Sequence, residues 1–152
     1  MRVARNSKRL PLALFRLWLL TVTSMAVAAD WPQWRGPDRD GKSSETGLLH
    51  EWPEAGPRLL WQATDLGHGY GAPSVADGKV FLVVNRGLVD ESVKALSEVD
   101  GQELWSIKIG KVGNPDQRPN YPAARSTPTV VGDSVYVLGS DGDLTCLGAE
   151  TG

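Results

Sequence analysis

The chain has 152 residues, of which 41% are hydrophobic and 22% charged, and its formal net charge is −2. Five of the 16 basic residues fall within the first 29 positions, which hold no acidic residue, so the rest of the chain is strongly acidic. This charge lacks the basic footprint that phosphate backbones require, and the composition excludes a collagen-like, disordered or disulfide-framework protein. Nucleic acid is therefore not an expected partner.

The N-terminus, residues 1–29, has the features of a signal peptide. A basic segment over residues 1–9 leads into a mostly apolar stretch over 10–22. Val27 and Ala29 fit the small-residue pattern before a cleavage site, and Ala26 with Ala28 fits it one residue earlier. A membrane anchor is the alternative, but the apolar run is short for a span of about 20 residues. We therefore expect an exported, periplasmic or extracellular product with no transmembrane anchor after cleavage.

Residues 30–57 are expected to form an N-terminal extension that leads into the following repeats. Within it, Gly36 to Ser43 matches the nucleotide-binding pattern GxxxxGK[ST]. That motif requires a hydrophobic strand before it and a helix after it. The flanking residues 31–35 are a poor buried strand and residues 44–47 a poor helix. We interpret the match as a polar loop and expect no nucleotide.

The remainder of the chain contains an internal repeat. Residues 72–81 align with 127–136, and residues 94–101 align with 145–152. Each copy has a short apolar strand, a Gly/Asp turn and then a strand of β-branched and aromatic residues, which is a strong hairpin signal. A repeat of this length with four short strands per unit is typical of a β-propeller blade.

The alignment predicts an all-β chain of four-stranded blades. One full blade is expected over 72–107, with strands at 72–76, 80–84, 94–98 and 103–107. A partial blade is expected over 126–152, with strands near 126–131, 135–139 and 144–148. Residues 58–62 predict the outer strand of a preceding blade, so the propeller begins at residue 58. Trp61 and Trp105 occupy equivalent positions, and we expect each to cover the interface between neighbouring sheets.

These repeat units resemble the PQQ-like β-propeller family, named after the quinoprotein dehydrogenases. The resemblance is carried by Ala72–Phe81, by Ala95-Leu96 ahead of Asp100–Trp105, and by the copy from Val130 to Gly152; Asp30–Pro37 resembles the mature N-terminus of large secreted members. It implies a ring of about seven or eight blades. The chain is then expected to be an N-terminal fragment with about one and a half blades.

Two loops are the candidate ligand-facing segments. Residues 67–71 and an insertion near 113–122 each connect an outermost strand with the next innermost strand, so both approach one end of the propeller channel. The alternative is a proline-stiffened surface loop that packs on the neighbouring blade. The candidate site residues are His68, Tyr70, Arg118, Tyr121 and Arg125.

No metal site and no catalytic arrangement is predicted. His50 and His68 lack a second ligand at metal-binding spacing, and the acidic pair within residues 38–40 lacks the glutamate that closes a calcium loop. Residues 141–143 are interpreted as a hairpin turn. The catalytic residues, if there are any, are not identified by the sequence.

Three further residues carry expectations about burial. Asp90 and Glu91 are expected in an exposed loop with a solvated surface. Cys146, the one cysteine, lies in a predicted strand and is expected to be a small buried hydrophobe, because free cysteine is usually buried in such a setting.

Two functions are consistent with the resemblance. The first is a non-catalytic binding or scaffold module that takes a protein or small-molecule ligand on the propeller face, with no cofactor identifiable in this chain. The second is a PQQ-dependent quinoprotein alcohol dehydrogenase of the polyvinyl-alcohol type, which needs PQQ with calcium and an aspartate base. No residue here can be matched to those ligands or that base, so we favour the first.

Overall fold

A computed structural model describes residues 29–113, 116 and 124–152. The regular structure in these ranges consists of seven β-strands, without a helix. The strands are β1 (Ser74–Ala76), β2 (Lys79–Arg86), β3 (Asp90–Ser97), β4 (Glu103–Lys111), β5 (Thr129–Val131), β6 (Ser134–Leu138) and β7 (Leu144–Gly148). The described part accordingly contains no helix that could cross a membrane. The predicted signal peptide lies almost wholly outside these ranges and stays a prediction.

The strands form two antiparallel sheets that correspond to the two predicted repeat copies. The first sheet has the order β1-β2-β3-β4 and the second has the order β5-β6-β7. The β1–β2 turn is tight because Asp77 and Gly78 both adopt positive φ, 49° and 72°, as the favoured two-residue hairpin turn requires. The all-β prediction and its sequential blade order are confirmed.

The central hairpin of the first sheet is longer than predicted. β2 and β3 pair over eight residues, from Lys79 opposite Ser97 to Arg86 opposite Asp90. The expectation that Asp90 and Glu91 lie in an exposed loop is therefore wrong. They begin β3, and Glu91 faces the inside of the protein because it shares a strand face with the apolar residues two and four positions later.

The predicted outer strand at residues 58–62 does not form. A strand needs a neighbouring backbone for its N–H and C=O groups, and within the described ranges none pairs with this segment. Leu59 and Leu60 are exposed as a result. Trp61 of this segment is held in place, because its Nε1 donates a hydrogen bond to the Glu98 carbonyl oxygen at 2.8 Å.

The core lies between the two sheets. One face of the first sheet packs against one face of the second, and the largest buried side chain, Phe81, lies 5.9 Å from the Trp105 ring centroid to centroid. The buried members of this core are Ala76, Phe81, Val83, Val93, Ala95, Ala124, Val130, Val135 and Val137. Burial of this shared surface holds the two sheets together.

Trp61 and Trp105 make the same contact in successive repeats. Each indole Nε1 donates to a backbone carbonyl in the turn after the third strand of a sheet, Trp61 to Glu98 and Trp105 to Ala149 at 3.1 Å. The Trp61 ring also lies on Gly101, where a Cβ would come within 2.5 Å of the ring. The predicted structural role of both tryptophans is consistent with this geometry.

The N-terminal extension crosses the inner edges of both sheets. Trp31 exchanges two backbone hydrogen bonds with Val75 of β1, at 2.8 and 3.0 Å, and the Pro32 carbonyl accepts from Val130 N of β5 at 2.8 Å. Residues 36–43 form a turn without a flanking strand or helix. The extension therefore forms backbone hydrogen bonds with both β1 and β5, which are the edge strands of the two sheets.

Cys146 is exposed, so its predicted burial is wrong. It lies opposite Tyr136 in the β6–β7 ladder. This ladder position is on the face of the second sheet that points away from the first sheet, whereas the neighbouring Leu147 packs toward the core. Because successive side chains of a strand point to opposite faces of the sheet, Leu147 faces the core and Cys146 does not.

Candidate functional site

The structure brings the segment 67–71 together with the residues that follow the insertion. Gly69 and Ala124 form a parallel bridge, and the Ala124 carbonyl accepts hydrogen bonds from Tyr70 N at 2.6 Å and Gly71 N at 3.2 Å. Both segments lie at the end of the sheets where β1 and β5 begin. The candidates Arg118 and Tyr121 lie outside the described residues.

Tyr70 and Arg125 form a cation–π pair at this end. The Arg125 guanidinium carbon lies 5.6 Å from the centroid of the Tyr70 ring. The Tyr70 side chain is 68% exposed, so the pair contributes only about 0.5–1 kcal/mol to stability. Both residues are exposed, and neither side chain makes a hydrogen bond to another described residue.

The backbone of His68 pairs with Asn85 of β2 in the same region. Its N–H donates to the Asn85 carbonyl at 3.0 Å, and its carbonyl accepts from Asn85 N at 2.9 Å. The imidazole itself is exposed. Three of the five predicted residues, His68, Tyr70 and Arg125, thus lie on one continuous surface of the described structure.

Two buried polar side chains beneath this surface escaped the sequence analysis. Asn85 and Glu91 are 1% and 2% exposed and lie directly opposite each other in the β2–β3 ladder. Asn85 Oδ1 accepts a hydrogen bond from Ala124 N at 2.6 Å, while its Nδ2 donates to the Gly87 carbonyl at 2.5 Å. Asn85 therefore fixes the backbone just before Arg125.

Glu91 fixes the other side of the insertion. Its Oε2 accepts hydrogen bonds from Ser140 N at 2.7 Å and Ser140 Oγ at 3.0 Å. Ser140 Oγ in turn accepts from Gly113 N at 2.9 Å. The Asn85–Glu91 pair thus holds Gly113 and Ala124, the described residues on either side of the insertion, and connects the two sheets.

A signal for this pair exists in the sequence. Asn85 interrupts the apolar run of β2 at a position in phase with Phe81 and Val83, and Glu91 is in phase with Val93 and Ala95. A polar residue at an inward position is buried only where its hydrogen bonds are satisfied. Period-two phasing therefore indicates buried polar anchors here, although it does not identify their partners.

We expect Asn85→Ala to loosen this end of the molecule locally. The substitution leaves the Ala124 N–H without its partner in a buried setting, at a cost of about 1–3 kcal/mol. Hydrogen exchange should therefore accelerate at Ala124, Tyr70 and Gly71. Ser92→Ala, on the opposite face of β3, serves as the matched control, and equal exchange in both variants would contradict the anchoring role.

A cavity of about 610 Å³ lies between the sheets at the opposite end. It is lined by the turns after β1, β5 and β7, and Lys79 and Glu150 form an ion pair there at 2.8 Å. None of His68, Tyr70 and Arg125 lines it. We call the surface formed by His68, Tyr70 and Arg125 the candidate surface. It is separate from this cavity.

The described residues do not assemble a PQQ site. PQQ is a planar tricarboxylate, so its binding requires several cationic or N–H donors around an enclosed aromatic slot. In the part of the candidate surface that the structure describes, there are one guanidinium and one imidazole, both exposed. The buried Asn85 and Glu91 already bind backbone groups. Within the described ranges, no three His, Cys, Asp or Glu side chains converge as metal ligands.

Comparison with known proteins shows which family this chain matches. The model of the PQQ-like repeat family described as outer membrane protein assembly factor BamB matches residues 41–152, which is most of the chain and includes both sheets. No curated protein matches the chain.

Proposed function

The chain belongs to the PQQ-like repeat family of β-propeller proteins, and from that premise we propose that it acts as a non-catalytic binding or scaffold module outside the cytoplasm. Export rests on the N-terminal leader with its basic segment, apolar stretch and small-residue cleavage pattern. A function in the cell envelope also agrees with the description of the matching family as an outer membrane protein assembly factor.

The observation that carries the proposal is the exposed Tyr70–Arg125 pair on an anchored backbone. Tyrosine and arginine are the residue types that dominate binding energy at protein interfaces. Their backbone is held by Ala124, which is fixed by the buried Asn85. A pair that is presented by a rigid scaffold loses little conformational entropy when a partner binds.

A protein is the partner that this surface fits better than a small molecule. The pair lies on open surface, where a small ligand would bury little of its own area. A protein segment with a carboxylate and an apolar or aromatic side chain would use both the guanidinium N–H groups and the free ring face. The proposed partner is therefore another envelope protein that presents such a segment.

Site-specific photocrosslinking tests this proposal. A photoreactive phenylalanine analogue at His68, which leaves Tyr70 and Arg125 intact, is expected to give a discrete adduct with an envelope protein in the exporting host. The control position is Val99, which is 85% exposed and lies at the other end of the sheets. Adducts of equal yield from positions 68 and 99 would contradict the assignment of the binding face.

The dehydrogenase alternative has its own test. We expect that PQQ with Ca²⁺ added to the purified chain gives neither saturable binding nor alcohol-dependent reduction of an artificial dye. The physical reason is that the described residues of the candidate surface offer too few donors for three carboxylates. Dye reduction that depends on alcohol, PQQ and Ca²⁺ together would overturn the non-catalytic proposal.

A further inference from the structure

The cavity between the two sheets has the size of a site for a small organic ligand. Its volume is about 610 Å³, and residues of both sheets line it. The cavity is therefore bounded on two sides by parts of the chain that the structure describes. It lies at the end of the sheets opposite the candidate surface, so a ligand there would not compete with the proposed envelope partner.

The inner part of the cavity is apolar. Ala76 and Phe81 of the first sheet and Val130 of the second line it, and all three are buried members of the core. Ala149, which is partly buried and packs against the same core, also lines it. A ligand with an apolar part gains free energy here, because that part leaves water when it contacts these side chains.

The rim of the cavity is negatively charged. Of the described residues that line it, Asp77, Asp133 and Glu150 are acidic and Lys79 is basic, which leaves an excess of two negative charges. The three acidic residues are exposed. A concave site whose charges have mainly one sign attracts ligands of the opposite sign, so the rim favours a cation over an anion.

The lysine at the rim is already paired. Lys79 shares the inward face of β2 with Phe81, and its side chain is only 16% exposed. Its Nζ lies 2.8 Å from the carboxylate of Glu150. Neither Asp77 nor Asp133 forms an ion pair with another described residue. These two carboxylates are the ones that the positive group of a ligand meets.

The charged residues of the cavity are not a product of the repeat. The alignment of the two copies places Ser134 at the position of Lys79, and it places Val99 at the position of Glu150. Packing of one repeat on the next therefore does not require this ion pair. Residues that depart from the repeat belong to this particular interface, as expected where a site is added to a common fold.

We propose that this cavity binds a small organic cation, an amine or a guanidinium that carries an apolar group. The apolar group lies on Ala76, Phe81 and Val130, and the positive group lies at the rim beside Asp77 and Asp133. The inference goes beyond the proposed envelope function and does not depend on it, because it concerns the other end of the molecule.

Isothermal titration of the purified full chain with phenethylammonium tests the charge and the apolar requirement together. This probe has one ammonium group on an aromatic body, and 2-phenylethanol and 3-phenylpropionate are its neutral and anionic analogues of similar size. We expect saturable binding of the cation, at least several-fold weaker binding of the alcohol, and no binding of the anion. Added salt should weaken the binding of the cation, because the rim carboxylates are exposed. Equal affinities for all three probes would overturn the inference.

Asparagine substitutions at the rim locate the site. Asp77→Asn and Asp133→Asn each remove one negative charge and should weaken phenethylammonium binding several-fold. Asparagine suits the β1–β2 turn, because it tolerates the positive φ of 49° that Asp77 adopts. Asp141→Asn, an exposed aspartate in the turn between β6 and β7 at the opposite end, is the matched control and should bind like the wild type.

Lys79→Met gives a change in the other direction. The substitution removes a positive charge from the cavity, keeps most of the apolar stem and releases the Glu150 carboxylate from its ion pair. Binding of phenethylammonium should therefore become several-fold tighter, a result that damage to the fold does not produce. This variant also serves if an asparagine variant does not fold, as judged by its thermal transition. No binding to the wild type, unchanged binding in folded Asp77→Asn and Asp133→Asn, or no gain in Lys79→Met would overturn the inference.

Discussion

Replacement of Trp105 by alanine is expected to lower the free energy of unfolding by about 3–5 kcal/mol. The Trp105 ring packs against Phe81 in the core between the sheets, and its Nε1 bonds the Ala149 carbonyl of the second sheet. Loss of the ring opens a cavity at the point where the two repeats meet. The loss also leaves a half-buried carbonyl without its donor.

Equilibrium urea denaturation followed by circular dichroism measures this change. Trp34→Ala is the matched control, because Trp34 is 63% exposed in the N-terminal extension. We expect the control to change stability by less than about 0.5 kcal/mol. Equal effects of the two substitutions would show that the repeated tryptophan contact does not hold the sheets together.

Gly71→Ala is expected to separate Tyr70 from Arg125. A Cβ at Gly71 would overlap the carbonyl oxygen of Ser126. Backbone oxygen cannot give way as a flexible side chain does, so the two segments must move apart at a cost of about 1–3 kcal/mol. The hydrogen bonds from Tyr70 N and Gly71 N to Ala124 should then be weakened.

The expected readouts are faster hydrogen exchange at Tyr70 and Gly71 and a several-fold lower photocrosslinking yield from position 68. Gly110→Ala is the control, because a Cβ at Gly110 of β4 meets no atom within 4 Å. If Gly71→Ala retained the wild-type exchange and crosslinking, the close backbone approach would not be required for the binding face.

The repeat predicted the arrangement of the sheets because it contains information about register. Two aligned segments with hairpin turns between them fix which strands pair, and Trp61 and Trp105 at equivalent positions indicate a contact that recurs between repeats. The structure confirms the strand order in both sheets. This part of the fold therefore follows from the hairpin signals and from the alignment of the two repeat copies.

The predictions that were wrong for residues 58–62 and for Cys146 have a common physical origin. Whether residues 58–62 form a strand, and whether Cys146 is buried, depends on which surface packs beside them. Local sequence does not contain that information, and the strand pattern of Leu144–Gly148 is compatible with either face being inside. Asn85 and Glu91 were overlooked for a similar reason, since their partners Ala124 and Ser140 are remote in sequence.

The candidate site, too, could be predicted only in part from the sequence. The position of residues 67–71 between an outer and an inner strand was enough to predict that they share one end with the residues after the insertion. The cation–π contact of Tyr70 and Arg125, and the buried anchors beneath it, depend on side-chain packing that the sequence pattern does not specify.

The photocrosslinking yield from position 68, measured in three backgrounds, tests whether this surface binds the partner. Arg125→Ala removes the guanidinium and should reduce the yield of the envelope-protein adduct by about tenfold, which corresponds to about 1.4 kcal/mol of binding free energy. Arg125→Lys keeps the charge but not the planar donor set, and should give an intermediate yield. An adduct formed equally well with arginine, lysine and alanine at position 125 would contradict the claim that this surface binds the partner.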